Sequence, residues 1–219
     1  MPLRYHLRIY RREHLGLPAG LWVLFAIMVA FMADDPARAA EVGGVWLGMV
    51  LPLLAGILAA WALVDDPALE LQLAAPRAPW RLLLERLGLI LGIVAAGALA
   101  FQVYLWAVGV DVSPLGSPAA RQLVWLVPSV ALMGLSSAVA LGSAQGTGGA
   151  LAAGGVWLGE LLLRSWFAAS PWARYLFLFL GVTGPASPHL AANRLCLAAL
   201  AAALTWAASS MLKETERYL

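Results

Sequence analysis

Glu160 and Arg164 stand four residues apart within a long apolar run, and their types and spacing make them the first place to look for chemistry. A carboxylate near the middle of a bilayer costs about 2.5–3.5 kcal/mol on insertion scales, so such a residue normally faces a bundle interior or a cavity. One turn apart on a helix, the two side chains can form an i,i+4 ion pair. The alternative is that Glu160 lines a path or contacts another subunit. Gln102 and Tyr104, in the third apolar run, and Gln145, near the fourth, are weaker candidates for the same role. Hydrogen bonds between helices would explain all three.

Other chemistries find little material. The histidines are His6, His14 and His189, and no two have metal-ligand spacing. The single cysteine, Cys196, has no partner for a disulfide within the chain and reads as a small apolar packing residue. The stretch Gly142-Ser-Ala-Gln-Gly-Thr-Gly-Gly149 looks like a phosphate cradle, but the only lysine is Lys213, so a G-x-x-x-x-G-K-[ST] loop is impossible. It is read as a flexible connection. No nucleotide, metal or other cofactor is expected on this chain, and nothing in the composition speaks for catalysis by the chain itself. The cations are dispersed, with no aromatic-interleaved basic groove, so nucleic acid is not an expected partner.

The elements that must position these residues are membrane-spanning. Hydrophobic residues make up 62% of the 219-residue chain and charged ones 12%, against about 25% charged in ordinary soluble domains. Crossing the hydrocarbon takes about 20 mostly apolar residues as helix. Runs at about 15–33, 42–64, 87–110, 122–142, 149–169 and 191–212 meet or approach that length. The expected fold class is an all-α membrane protein of six transmembrane helices, forming a single domain over 1–219. The first run is too long for the core of a secretory signal and is read as a retained helix. The apolar run Tyr175–Val182 is too short to cross and is bounded by Pro171, Pro185 and Pro188. Residues 172–188 are therefore expected to form a re-entrant or interfacial segment before the last helix.

Orientation follows from the positive-inside rule. Nine cations (Arg4, Arg8, Arg11, Arg12, Arg77, Arg81, Arg86, Lys213 and Arg217) fall on one side, and five (Arg38, Arg121, Arg164, Arg174 and Arg194) on the other. Both termini are expected to be cytoplasmic, in the cell (inner) membrane. Residues 3–15 place Leu3, Leu7, Tyr10 and His14 on one helical arc and four arginines on the next, the pattern of an amphipathic helix on an anionic leaflet. A basic flank that merely sets topology is the simpler alternative. The hexapeptide Gly-Gly-Val-Trp-Leu-Gly occurs twice, at 43–48 and 154–159. Two inverted three-helix repeats would produce this, as would chance in so biased a composition. Pro52 and Pro128 lie mid-span and should kink or loosen their helices.

The loop 65–86 carries the most information about partners. Asp65 and Asp66 precede Pro67 at a helix start, and Pro76 and Pro79 stop the helix after about two turns. Leu69, Leu71, Leu73 and Ala74 would then form an apolar patch outside the membrane, which marks either a partner site or a helix lying in the headgroup layer.

At this point the chain resembles the permease subunits of ABC-2-type transporters. The surface helix, the six spans, the short helix between spans two and three ending in proline, and the short apolar segment before the last span all match in outline. In that family the loop commonly runs from an acidic residue through a turn to Leu-Glu, apolar residues and proline. Asp65–Asp66, Leu69–Glu70 and Pro76 match, whereas Pro67–Ala68 stands where a Gly-Thr turn is frequent. Ser187-Pro188-His189 with Asn193-Arg194 is similar to one branch of the family. The resemblance implies that 66–76 is a coupling helix docking on a separate ATPase through Asp65, Asp66, Leu69, Glu70, Leu71, Leu73, Pro76 and Arg77. The loop around Gly142–Gly149 would be a second, smaller contact. It further implies two ATPase subunits holding ATP and Mg²⁺, a second permease subunit (identical or related), and export. A path lined by Trp, Leu and Ala would suit hydrophobic or amphiphilic substrates. Two other classes remain: a non-transporting membrane scaffold or sensor component, and a membrane-embedded enzyme.

Overall fold

Asp35–Pro36 and Ser117–Pro118 begin two of the long helices in the same way. An acceptor side chain meets the free amides of the first turn, and a proline occupies a position where a missing N–H costs nothing. Asp35 Oδ1 accepts from the Arg38 amide at 3.2 Å, and Ser117 Oγ accepts from the Ala120 amide at 3.3 Å. The computed structural model describes residues 12–32, 34–64 and 79–212. These form α1 (Arg12–Phe31), α2 (Pro36–Val45), a π-helical turn (Trp46–Val50), α3 (Leu51–Val64), α4 (Pro79–Ala107) and α5 (Pro118–Ser143). They continue as α6 (Gly146–Leu162), α7 (Arg164–Ala169), α8 (Leu180–Thr183) and α9 (Leu190–Met211), with 3₁₀ turns at Ser113–Leu115 and Ala173–Tyr175.

The described residues contain no strand. Among the described residues, four helical stretches are long and apolar enough to cross a membrane: Pro36–Ala62, Trp80–Ala107, Pro118–Ser143 and Leu190–Met211. Gly16–Phe31 is a shorter apolar helix. The chain is thus an all-helical integral membrane protein. The expected surface helix at 3–15 and coupling helix at 66–76 lie outside the described residues, apart from the start of α1 at Arg12.

Helix α5 occupies the centre, packed against α3, α6 and α9. The apolar windows of Pro36–Ala62 and Pro118–Ser143 are 67% and 72% buried, whereas those of Trp80–Ala107 and Leu190–Met211 are 28% and 17% buried. The first two are interior and the last two peripheral, their outer faces apolar as lipid contact requires. Small residues bring the interior helices together. A Cβ at Gly56 would lie 3.1 Å from each of Ala153 Cβ, Leu132 Cβ and Ser136 Oγ, and one at Gly149 would meet the Ser136 carbonyl and, at 2.9 Å, Ala60.

Three sequence expectations meet the structure here, and two of them change. Gly142–Gly149 is not a flexible connection: only Ala144 and Gln145 separate α5 from α6. Ala144 takes the left-handed conformation (φ 51°), and the Gln145 amide donates to the Ala140 carbonyl at 3.0 Å, which closes the helix end. Glycine is needed in this stretch for close helix approach rather than for freedom. Pro52 follows directly on a π-turn, where the helix is locally loosened, and the chain continues through it as α3. The run expected to cross at 149–169 is divided at Leu163, whose backbone leaves the helical region (φ −98°, ψ 20°) between α6 and α7.

Candidate functional site

Between α7 and α9 the chain turns repeatedly, because Pro171, Pro185 and Pro188 deny it a continuous helix. Its Phe177, Leu178 and Phe179 are nonetheless buried, at 0%, 5% and 1% exposure, against α5, α6 and α9. The Phe177 ring stacks on Phe167 at 5.7 Å, and Phe179 meets Trp157 edge-on at 6.0 Å. Buried irregular backbone must have its amides and carbonyls satisfied by side chains. Two residues of the flanking helices do this for 174–178.

Glu160, in the last turn of α6, accepts from the Leu178 amide at 2.7 Å through Oε2. Asn193, in the first turn of α9, donates from Nδ2 to the Arg174 and Phe177 carbonyls, each at 3.0 Å. Both are buried, at 6% and 2% exposure. The carboxylate and the amide thus hold residues 174–178 from opposite sides. The helix geometry explains why they can: each sits at a helix end facing the interrupted segment, and Asn193 is fixed by its own amide donating to the His189 carbonyl at 2.9 Å. Beside Asn193, a gap of about 10 Å³ lies among Pro128, Leu178 and Arg194, room for one water at most. Arg194 donates to the Ala120 carbonyl at 3.0 Å and so ties the start of α9 to the start of α5.

The partner expected for Glu160 was Arg164. No ion pair joins them: Arg164 is exposed, beyond the break at Leu163, and the carboxylate turns inward to a backbone amide instead. Gln102 and Tyr104 make hydrogen bonds within the bundle. Gln102 and Gln122 exchange amide hydrogen bonds at 3.2 and 2.9 Å across α4 and α5, with Trp125 Nε1 donating to Gln122 Oε1 at 2.9 Å. The Tyr104 hydroxyl donates to the Ala26 carbonyl of α1 at 2.7 Å. Asp65, Asp66, Leu69, Glu70, Leu71, Leu73, Pro76 and Arg77 lie outside the described residues.

One buried cation has a structural role that its sequence position alone does not suggest. In the sequence Arg86 counts only as a cytoplasmic charge, but it is 3% exposed and its guanidinium donates to the Ala62 carbonyl. A cation at this point meets the carbonyls left free at the end of α3. It also fastens the end of α3 to the second turn of α4, the two stems from which 65–78 departs. The available signal was its place in the helix: Arg86 falls seven residues inside α4 rather than at its first turn.

Among the described residues no three His, Cys, Asp or Glu side chains converge where a metal ion would sit. The arrangement around Glu160 and Asn193 holds a segment of chain in place through hydrogen bonds. No protein-family model, no curated protein and no solved structure matches the chain.

Proposed function

We propose that the chain is the membrane-spanning permease subunit of an ATP-driven transporter of the ABC-2 type, exporting a hydrophobic or amphiphilic substrate. A separate ATPase, in two copies, holds ATP and Mg²⁺. Two permease subunits flank the path, and both termini are cytoplasmic in the inner membrane. Six crossings are assigned to α1, α2 with α3, α4, α5, α6 with α7, and α9, and residues 172–188 to a re-entrant segment held by Glu160 and Asn193.

The observation that carries this reading is the segment 65–78. It combines paired acids, Leu69–Glu70, further leucines and a proline stop, on the side of the membrane where cations concentrate. Its stems support the reading. Because Arg86 joins them, a pull on the intervening segment reaches α3 and α4 together. A motor can bias the permease only through contacts that differ between two states, and a segment mounted on two tied helices is suited to pass such a bias on.

The test is co-purification from native membranes, with ATP hydrolysis by the eluate as the readout. Leu69→Asp and Leu73→Asp should each release the ATPase while the permease still elutes as a single sharp peak. Retention of full ATPase activity by both variants refutes the docking assignment. A cysteine at position 77 in a Cys196→Ser background should resist impermeant thiol reagents added outside intact cells. Labelling there reverses the orientation and removes the motor from reach.

A further inference from the structure

We propose that a slot between α1, α3 and α4 holds one acyl chain of a bilayer phospholipid. The slot has a volume of about 270 Å³. Its long wall is a single stripe of Trp46, Leu51, Leu54 and Leu58. The steps of three and four residues keep Leu51, Leu54 and Leu58 on one helical face. The step of five from Trp46 to Leu51 stays on that face because the π-turn lies between them. Twelve residues of helix rise make the stripe about 18 Å long. An extended hydrocarbon chain can lie along such a stripe, with the α1 and α4 residues covering part of its length.

Its walls exclude water. An apolar cavity of about 150 Å³ already stays dry and accepts benzene, and a buried water needs two to four polar partners. Here the Trp22 indole N–H is engaged with the Gly97 carbonyl at 3.3 Å, and Trp46 Nε1 is buried without an acceptor. The remaining lining is aliphatic, with Pro18 and Ala19 on α1 and Val94 on α4. Collapse is prevented by the links between α1 and α4. The Trp22–Gly97 bond, the Tyr104–Ala26 bond and the edge-on contact of Trp22 with Phe101 at 5.7 Å set their separation. An empty slot would forfeit the dispersion contacts of every lining residue, so an apolar occupant is favoured.

The bilayer is the source. Ala19, which lines the slot, is exposed, and Val23, one turn along the same face of α1, is 50% exposed, so the opening faces lipid. Pro18 and Leu58 mark the end of the slot nearest the start of α1 and the end of α3. The first residue of α1 is Arg12, about 9 Å of helix rise from Pro18. In the sequence, Arg4, Arg8, Arg11 and Arg12 all precede Pro18, a run of cations whose charge is complementary to a lipid phosphate. The slot stands whether or not the chain transports anything.

Trp46 makes the proposal testable, because it is 1% exposed and surrounding lipid cannot touch it except through the slot. The full chain is reconstituted in phosphatidylcholine vesicles with and without bromine on the acyl chains, and the Trp46 emission is taken as the difference between the wild type and Trp46→Phe. That emission should lose most of its intensity to brominated lipid. Gly97→Leu and Val94→Phe, which fill the slot, should restore it. Equal Trp46 emission in the two kinds of vesicle overturns the proposal. So does undiminished quenching in either filled variant that elutes as folded protein. Should both filled variants misfold, the wild-type comparison decides alone. Quenching by a brominated free fatty acid, with none by brominated phosphatidylcholine, overturns the assignment to a phospholipid.

Discussion

The same six residues, Gly-Gly-Val-Trp-Leu-Gly, face inward at 43–48 and outward at 154–159. In the first copy Gly43, Gly44, Trp46, Leu47 and Gly48 are all buried. A Cβ at Gly48 would overlap Val182 and lie 2.9 Å from Val124, so the glycine is there to let the 180s segment and α5 approach. In the second copy Gly154, Gly155 and Gly159 have nothing within 4 Å of an added Cβ, and Gly155, Val156 and Leu158 are exposed. The two tryptophans differ in the same sense. Trp46 is fully buried with its N–H unpartnered, whereas Trp157 is partly exposed and donates to the Met49 carbonyl at 2.8 Å, just beyond the first copy. The residue after each copy divides them again: Met49 offers its backbone, and Glu160 its carboxylate. Local sequence sets the helix; the neighbours decide what each residue does.

The largest effect should come from the sixth position of the repeat. Gly48→Leu forces Val182 and Val124 apart and should cost about 3 kcal/mol, the upper part of the usual overpacking range. Gly159→Leu meets no neighbour and should instead raise stability, by up to about 1 kcal/mol, through helix propensity. Melting midpoints of the two purified variants check this, and equal losses would erase the inward–outward distinction. Next comes the seventh position. Glu160→Leu strands the buried Leu178 amide and should cost about 2 kcal/mol, while Glu160→Gln keeps an acceptor and should lose about half of that. Proteolysis between Trp172 and Gly184 should accelerate in the same order. A leucine variant as resistant as wild type would mean that the carboxylate does not hold the segment.

Much of this fold was legible as length and hydropathy. A helix that crosses lipid needs an uninterrupted apolar run, and Pro118–Ser143 and Leu190–Met211 follow the runs expected at 122–142 and 191–212. What the sequence could not convey were partners distant along the chain. Glu160 binds an amide eighteen residues away, and Arg86 a carbonyl twenty-four residues away. Any residue supplies such a backbone group, so composition carries no trace of it. The ion pair with Arg164 was the only partner that periodicity could suggest, and the break at Leu163 removed it. The glycines of 142–149 misled for a related reason. Glycine serves freedom in a loop and close approach in a helix, and only the facing helix, here the one carrying Ser136 and Ala140, shows which applies. The π-turn left no signal except Pro52 in its wake.

A smaller test concerns the tryptophans. Trp157→Phe removes the hydrogen bond to Met49 across α6 and the π-turn and should cost about 1 kcal/mol. At Trp46 no hydrogen bond is lost, so the cost of Trp46→Phe is that of volume alone. Double substitution of Trp157 and Met49 separates the two contributions: Met49→Ala leaves the carbonyl in place, so the Trp157→Phe cost should persist unchanged in a Met49→Ala background, and coupling above about 0.5 kcal/mol would mean that the side chains, not the hydrogen bond, join the helices.

The smallest expected effect is the most informative about the assembled state. Gly155→Ala adds a methyl to an exposed helical position with nothing near it, and in the isolated chain it should stabilise by up to about 1 kcal/mol through helix propensity. Lipid accommodates a methyl group; a second protein surface packed against Gly155 does not. The sign of the change in melting midpoint therefore reports what the outward copy touches. A rise in detergent and in vesicles alike leaves it facing lipid. A rise in detergent that turns into a fall in vesicles means that another chain covers this face in the membrane, and the two copies of the hexapeptide would then serve the same purpose, one within the subunit and one between subunits.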